Sequence, residues 1–245
     1  MTYEKIGSLI SRSYSSIQSK VRYLSFQKKI KKHFVNSDFF KKWSREMSYV
    51  LGFVAADGNI CHSGRAHSLH IACDDVDVIQ KIKTVMEYSG PVHKKFRLNG
   101  KISYSLRICD QIIFHDLNAL GITERKSLTL SPSVNGKFMA DFLRGFLDGD
   151  GTVYVRNTKY PSRLAVIFYT ASLPMAKFLS TNLKKLLGKL SKSSIQYRFT
   201  KQNMPYYAVS FGHKASLKIY SIFYTNTRLY MERKFQKFLQ GMQTI

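Results

Sequence analysis

Two acidic residues close two similar stretches of sequence. Asp57 ends an apolar run from Glu46 to Gly58, and Asp150 ends a second from Lys137 to Gly151. Each run has the apolar spacing of a helix that stops at Asp-Gly. Aligned on Gly58 and Gly151, Gly52 matches Gly145, Ala56 matches Gly149 and Asp57 matches Asp150. Each helix then carries small residues four apart on one face, a spacing that lets two backbones approach closely. Packing these faces together brings Asp57 and Asp150 side by side. Each carboxylate then meets its twin and the negative end of its own helix dipole. Both effects oppose ionisation. A divalent cation removes the conflict, and an oxygen-rich site of this kind suits Mg²⁺. Paired acids that hold a metal beside a phosphate are suited to phosphodiester hydrolysis. One Asp-Gly end would be only a stop signal; two matching copies in a strongly basic chain point to chemistry.

A second set of residues comes from strand alternation. Tyr104, Leu106 and Ile108 form an apolar row, which puts Ser103, Ser105 and Arg107 on the other face. Val92, Phe96 and Leu98 likewise oppose His93, Lys95 and Arg97 across an Asn99-Gly100 hairpin signal. In the second half, Ile195, Tyr197 and Phe199 oppose Gln196, Arg198 and Thr200. Tyr207, Val209 and Phe211 oppose Tyr206 and Ser210. Tyr154 and Arg156 fall on a further strand, Thr152 to Arg156. Side chains of these types can reach base edges in a major groove or hold phosphates. Cys61, His62, His67, His70 and Cys73 suggest zinc, but His70 and Cys73 would point to opposite faces of one strand and no compact second ligand pair follows.

The elements behind these residues repeat. From Arg45 the order is helix, two strands, helix, two strands, helix. After a linker at 131–136 the same order returns from Lys137 to the end. The expected fold is α+β, built from two αββαββα repeats (45–130 and 137–245). Residues 1–44 form a basic extension. Its apolar positions Ile6, Leu9, Ile10, Ile17, Val21 and Leu24 read as two short helices, similar to the last two helices of a helix-turn-helix. Ser15 to Leu24, with Lys20 and Arg22, is the candidate recognition helix. A solvated basic arm is the other reading.

Composition fits a polyanion partner. The 245 residues include 39 Lys and Arg against 15 Asp and Glu, a net charge of +24, while 44% hydrophobic residues suffice for a packed core. Wholesale disorder is therefore excluded. The longest apolar run, Tyr49 to Ala56, is far short of the roughly 20 residues of a membrane span. Three cysteines are too few for a disulfide framework and suit a reducing compartment. No secretory signal opens the sequence.

Leu51 to Gly58 and Leu143 to Gly151 resemble the two namesake motifs of the LAGLIDADG homing endonucleases. The second is the closer match; the first has Ala55 where the motif's earlier acid usually stands. The resemblance covers roughly residues 45 to 245. It implies a monomer whose motif helices form the central interface between two β saddles on double-stranded DNA. It implies that Asp57 and Asp150 bind the essential metals, assisted by the carbonyls of Ala56 and Gly149. Mg²⁺ is the expected ion, with Mn²⁺ able to substitute and Ca²⁺ supporting binding without cleavage. A long specific target and staggered cuts with 3′ overhangs are further implications. Glu124-Arg125-Lys126 and Glu232-Arg233-Lys234 recur late in the two halves, and a basic residue near there borders the family's active site. Lys126 and Lys234 are the candidates. Glu124-x-Lys126 with Asp110 or Asp116 also mimics another nuclease constellation, which needs Glu and Lys on one strand. A non-cleaving DNA-binding regulator or an RNA maturase is the alternative function. The ends lack the Cys or Ser start and the His-Asn close that intein splicing needs, so a free-standing protein is expected. Its setting would be intracellular, in a bacterium, a phage-infected cell or an organelle.

Overall fold

The computed structural model describes residues 2–27, 33–64, 66–97, 100–156, 163–190 and 194–243, without the side chains of 25–27, 156 and 163. It contains two compact units, Met1–Phe34 and Val35–Ile245.

In the first unit, α1 (Tyr3–Leu9) and α2 (Tyr14–Gln27) flank a tight turn. Thr2 caps α1, and the Ser13 hydroxyl accepts from the Ser16 amide at 3.3 Å at the start of α2. Gly7 lets the turn fold back on α1, because a Cβ there would lie 2.5 Å from the Arg12 carbonyl oxygen. The break near Ser13 is where the apolar spacing falters in sequence. Ile17 is buried, whereas Leu9, Ile10 and Leu24 stay exposed.

The second unit opens with Val35 and Phe40, buried in its core, although basic composition extends to Arg45. The first repeat runs α3 (Arg45–Asp57), β1 (Gly58–Ser63), β2 (Ala66–Cys73), α4 (Val76–Val85), β3 (His93–Phe96), β4 (Ile102–Cys109) and α5 (Gln111–Ala119), followed by a 3₁₀ turn at Lys126–Leu128. The second runs α6 (Met139–Asp150), β5 (Gly151–Arg156), β6 (Arg163–Thr170), α7 (Leu173–Leu187), β7 (Ile195–Phe199), β8 (Pro205–Phe211), α8 (His213–Tyr224) and α9 (Glu232–Gln243). The expected α+β duplication is thus present, with α9 added to the second copy. Both sheets are antiparallel, with strand orders β1-β2-β4-β3 and β5-β6-β8-β7. The order is the same in each.

One face of each sheet packs into the core. Along β6, Leu164, Val166 and Phe168 are buried, while Ala165, Ile167 and Tyr169 on the other face are half-buried. Period-two alternation predicts this split. It fails at the outer edge strands. Phe96 on β3 is 71% exposed and Tyr197 on β7 is 56% exposed, although both lie on the core-facing rows. Lys94 partly covers Phe96, 5.0 Å from its ring centre.

The axis of the unit is the α3–α6 contact. A Cβ on Gly52 would lie 2.0 Å from the Phe142 carbonyl oxygen, and one on Gly145 would lie 2.0 Å from that of Tyr49. Phe142 and Tyr49 each stand three residues before the facing glycine, so the contact is reciprocal. One turn on, a Cβ on Gly149 would lie 2.3 Å from that of Ala56. The two backbones touch along the small-residue faces read from the sequence.

Candidate functional site

Both motif helices end in an acid followed at once by a strand, so Asp57 and Asp150 stand where helix interface and sheets meet. Asp57 remains accessible and Asp150 is half-buried. The surrounding protein still strips enough water that desolvation leads the shift of both carboxyls above their usual range. Asp150 is pushed up to about 6, with the Asp57 charge as the next cause and Lys126 and Lys234 opposing. The Asp57 charge thus reaches Asp150 across the interface. Lys234 and Lys126 also oppose the rise at Asp57, and Asp74 adds to it.

Neither carboxylate is held by a hydrogen bond among the described residues, so their lone pairs remain open to a hard cation. No group of three or more His, Cys, Asp and Glu side chains forms a metal site among the described residues. That donor set fits Mg²⁺, which is commonly bound through one or two carboxylates with water and substrate phosphate completing the shell.

Both lysines are buried, Lys126 at 8% exposure and Lys234 at 3%. A buried ammonium needs acceptors, and each lysine finds them at the end of a motif helix. Lys126 Nζ donates to the Gly58 carbonyl at 2.5 Å. Lys234 Nζ donates to the carbonyls of Leu147 and Asp148 at 2.6 Å each and of Gly149 at 3.3 Å. Cations at these ends offset the negative helix termini. Burial lowers both ammonium pKa values, against Asp150 and Asp57 at Lys126 and chiefly Asp148 at Lys234. Gly149 thus already meets Lys234, with the longest of the three contacts.

Asp148 was not singled out in the sequence. Fully buried, its Oδ2 accepts from the Tyr49 hydroxyl at 2.7 Å and the Met231 amide at 2.9 Å, while Oδ1 has no hydrogen-bond partner among the described residues. Burial pushes its carboxyl up to about 6. Arg144, stacked 5.1 Å from the Tyr49 ring centre, donates to the carbonyls of Leu229 and Phe223 and pairs with Asp141. This buried network ties α3, α6 and the segment entering α9. At the pseudo-symmetric position in α3 stands Ala55.

The rival nuclease constellation is not assembled. Glu124 accepts from the amide and ring of His62, Asp110 caps α5, and Lys126 lies in the 3₁₀ turn. The zinc cluster is split as expected: Cys61 and His70 face outward, and Cys73 is buried.

The outward sheet faces form two grooves. In the first, His93, Ser105 and Arg107 join Asn59, Cys61, Ser68 and His70 around a depression of about 440 Å³. Lys95 lies on the same face, paired in register with Ser103. Ser103 is buried and accepts from Arg97 at 3.1 Å, and Arg97 also pairs with Asp74 at 2.8 Å. These last two brace the site more than they line it. In the second, Tyr154, Gln196, Arg198 and Ser210 border a groove of about 880 Å³. Arg198 donates to Gln196, and Tyr206 pairs in register with Arg198. Thr200 instead holds the β7–β8 turn, its hydroxyl accepting from the Met204 amide at 3.1 Å. The Arg156 side chain, Leu98 and Asn99 lie outside the described residues. Lys20 and Arg22 are exposed on α2 of the first unit. Alternation found the groove residues of β3, β4, β7 and β8 but missed Asn59 on β1 and Ser68 and His70 on β2, which reach the same face through the β1–β2 and β2–β4 pairings.

Residues 137–221 match the LAGLIDADG-like domain family. Across the chain, the fold is similar to that of the homing endonuclease I-WcaI bound to its DNA recognition sequence, with a TM-score of 0.54 and 14% identity, covering 81% of this chain and 90% of that one. The LAGLIDADG homing endonuclease I-GzeII in complex with its DNA target gives 0.52 and 12%, covering 82% and 89%. I-SmaMI bound to uncleaved DNA target in the presence of calcium ions gives 0.50 and 12%, covering 82% and 90%. No curated protein matches the sequence. The family match lies within the second repeat, and the chain has the LAGLIDADG homing endonuclease fold in its two-motif form. Among the described residues no helix is long and apolar enough to cross a membrane.

Proposed function

We propose that this protein is a site-specific endonuclease that, as a monomer inside the cell, hydrolyses one phosphodiester in each strand of a long duplex DNA target and leaves 3′ overhangs. The observation that carries this reading is the pair of open carboxylates, Asp57 and Asp150, set together by the reciprocal glycine contact of α3 and α6. The groove residues bind and orient the duplex, and the +24 charge draws it in. Asp57 and Asp150, with the carbonyls of Ala56 and Gly149, would hold the metal. Mg²⁺, or Mn²⁺ in its place, would supply charge stabilisation at the scissile phosphate and an activated water, whereas Ca²⁺ supports binding alone. Lys126 and Lys234 fix the helix ends and bring positive charge toward the phosphate. Retention of both acids favours cleavage over the regulator and maturase alternatives.

The test is selection of cleaved molecules from a randomised duplex library in Mg²⁺. A defined site cut on both strands is expected. Absence of cleavage in both Mg²⁺ and Mn²⁺, despite specific binding in Ca²⁺, would support the non-cleaving alternative instead.

A further inference from the structure

The two grooves share one strand architecture and differ in chemistry at the middle of β2 and β6. Pairing Gly58 with Ile71 in one sheet and Gly151 with Phe168 in the other fixes the equivalence of every position. On the central strands, Ser68 corresponds to Ala165, His70 to Ile167 and Ser105 to Ala208. Ser68 and His70 on the first floor are thus replaced by two apolar side chains on the second, while Ala72 gives way to Tyr169 further along the strand. Ala208 is fully buried and does not line the groove. Ala165 and Ile167 are half-buried on the groove face and line its 880 Å³ volume. Around this floor stand Arg198, Lys189 and Lys214. An apolar strip with a cationic border matches a ligand that is anionic at its edges and locally apolar at its centre.

A duplex major groove presents that combination in one way. Phosphates line its rims, and the C5-methyl of thymine is the apolar group among the base edges. Arg198, Lys189 and Lys214 suit the rims. Ile167 and Ala165 can offer no hydrogen bond to any base, but they can bury a methyl. We propose that the second groove recognises its half-site through thymine methyl groups packed on Ile167 and Ala165, while the first reads hydrogen-bonding edges through His70, Arg107 and Asn59. This deepens the reading of the protein as a sequence-specific DNA binder and rests on it.

The experiment replaces thymidine by deoxyuridine, which removes the methyl and keeps every hydrogen-bonding group. The probe is the duplex selected by the full-length protein, bound in Ca²⁺, with the substitution made in one half-site at a time. Arg107→Ala marks the first groove's half-site by the positions whose base preference it relaxes. In the other half-site, affinity should fall about four-fold for each methyl that contributes, the value of one buried carbon group. Substitution in the first half-site should change affinity by less than that. Ile167→Ala should bind the thymidine and deoxyuridine forms nearly alike. If deoxyuridine is tolerated in both halves, or the second half-site specifies no thymine, the methyl proposal falls while specific binding stands. If no duplex is bound specifically, the parent reading falls with it. The deoxyuridine arm uses wild-type protein, so a poorly folded Ile167→Ala leaves it decisive.

Discussion

At the scale of single residues, the acids divide by what surrounds them. Asp57 and Asp150 are open, and both carboxyls are raised, Asp150 to about 6. A cation needs them ionised, so Ca²⁺ affinity, followed by calorimetry on the wild type, should fall as pH drops through about 6. Asp57→Asn and Asp150→Asn should each leave a nickase or an inactive protein that still binds its target in Ca²⁺. Full double-strand cleavage by either variant would remove that residue from the metal site. Asp148 is closed, and its effect is on stability. Its folded-state pKa lies above the unfolded value, so the folded protein binds more protons between about 4 and 6, and this group's contribution to stability falls as pH rises through that window. Asp148→Asn keeps one acceptor for Tyr49 and Met231, so its melting temperature should vary less with pH there than the wild type's. A slope equal to the wild type's would show that Asp148 is not the titrating group. The open pair was legible in sequence because each acid ends an apolar run. Asp148 was not, since its donors Tyr49 and Met231 lie 99 and 83 residues away.

At the scale of elements, small residues spaced four apart foretold which helix faces meet, because the signal is local to each helix. The reciprocity of Gly52 and Gly145 gives that contact a sharp test. Gly145→Ala adds one Cβ where the Tyr49 carbonyl stands in the way; Gly136→Ala makes the same change where nothing lies within 4 Å. The first should cost about 1–3 kcal/mol by overpacking, read as a lower denaturant midpoint, and should reduce cleavage by shifting α3 against α6. The second should be near neutral. Equal midpoints would contradict the backbone contact. Strand faces were also legible, from period-two alternation. The exposure of Phe96 and Tyr197 was not, because alternation assigns a face but not whether a helix covers it at the sheet's edge. The lysines recurred visibly as Glu-Arg-Lys, yet their docking on helix-end carbonyls depends on chain segments that sequence spacing does not bring together.

At the scale of the whole molecule, charge and division into units set the behaviour. Residues 1–34 carry eight Lys or Arg and one acid, Glu4. The second unit has its own core beginning at Val35. Removing residues 2–34 should therefore leave its melting temperature unchanged. It should weaken DNA binding and make the plot of log affinity against log salt shallower, since fewer counterions are released. If α2 reads bases, base preference at one flank of the target should vanish as well; if it is only a basic arm, affinity should drop equally for all flanks. An unchanged salt slope would leave the segment without a role on DNA. The second repeat also borrows from the far end of the chain. The Met231 amide and the Lys234 ammonium complete the end of α6, whereas Lys126 serves α3 from within its own repeat. During synthesis, then, the first half can finish its helix end before the second repeat is made, whereas the second must wait for α9. Until α9 emerges, the carbonyls of Leu147 and Asp148 lack their cation and Asp148 lacks one of its donors, so the end of α6 stays unfinished in a nascent chain.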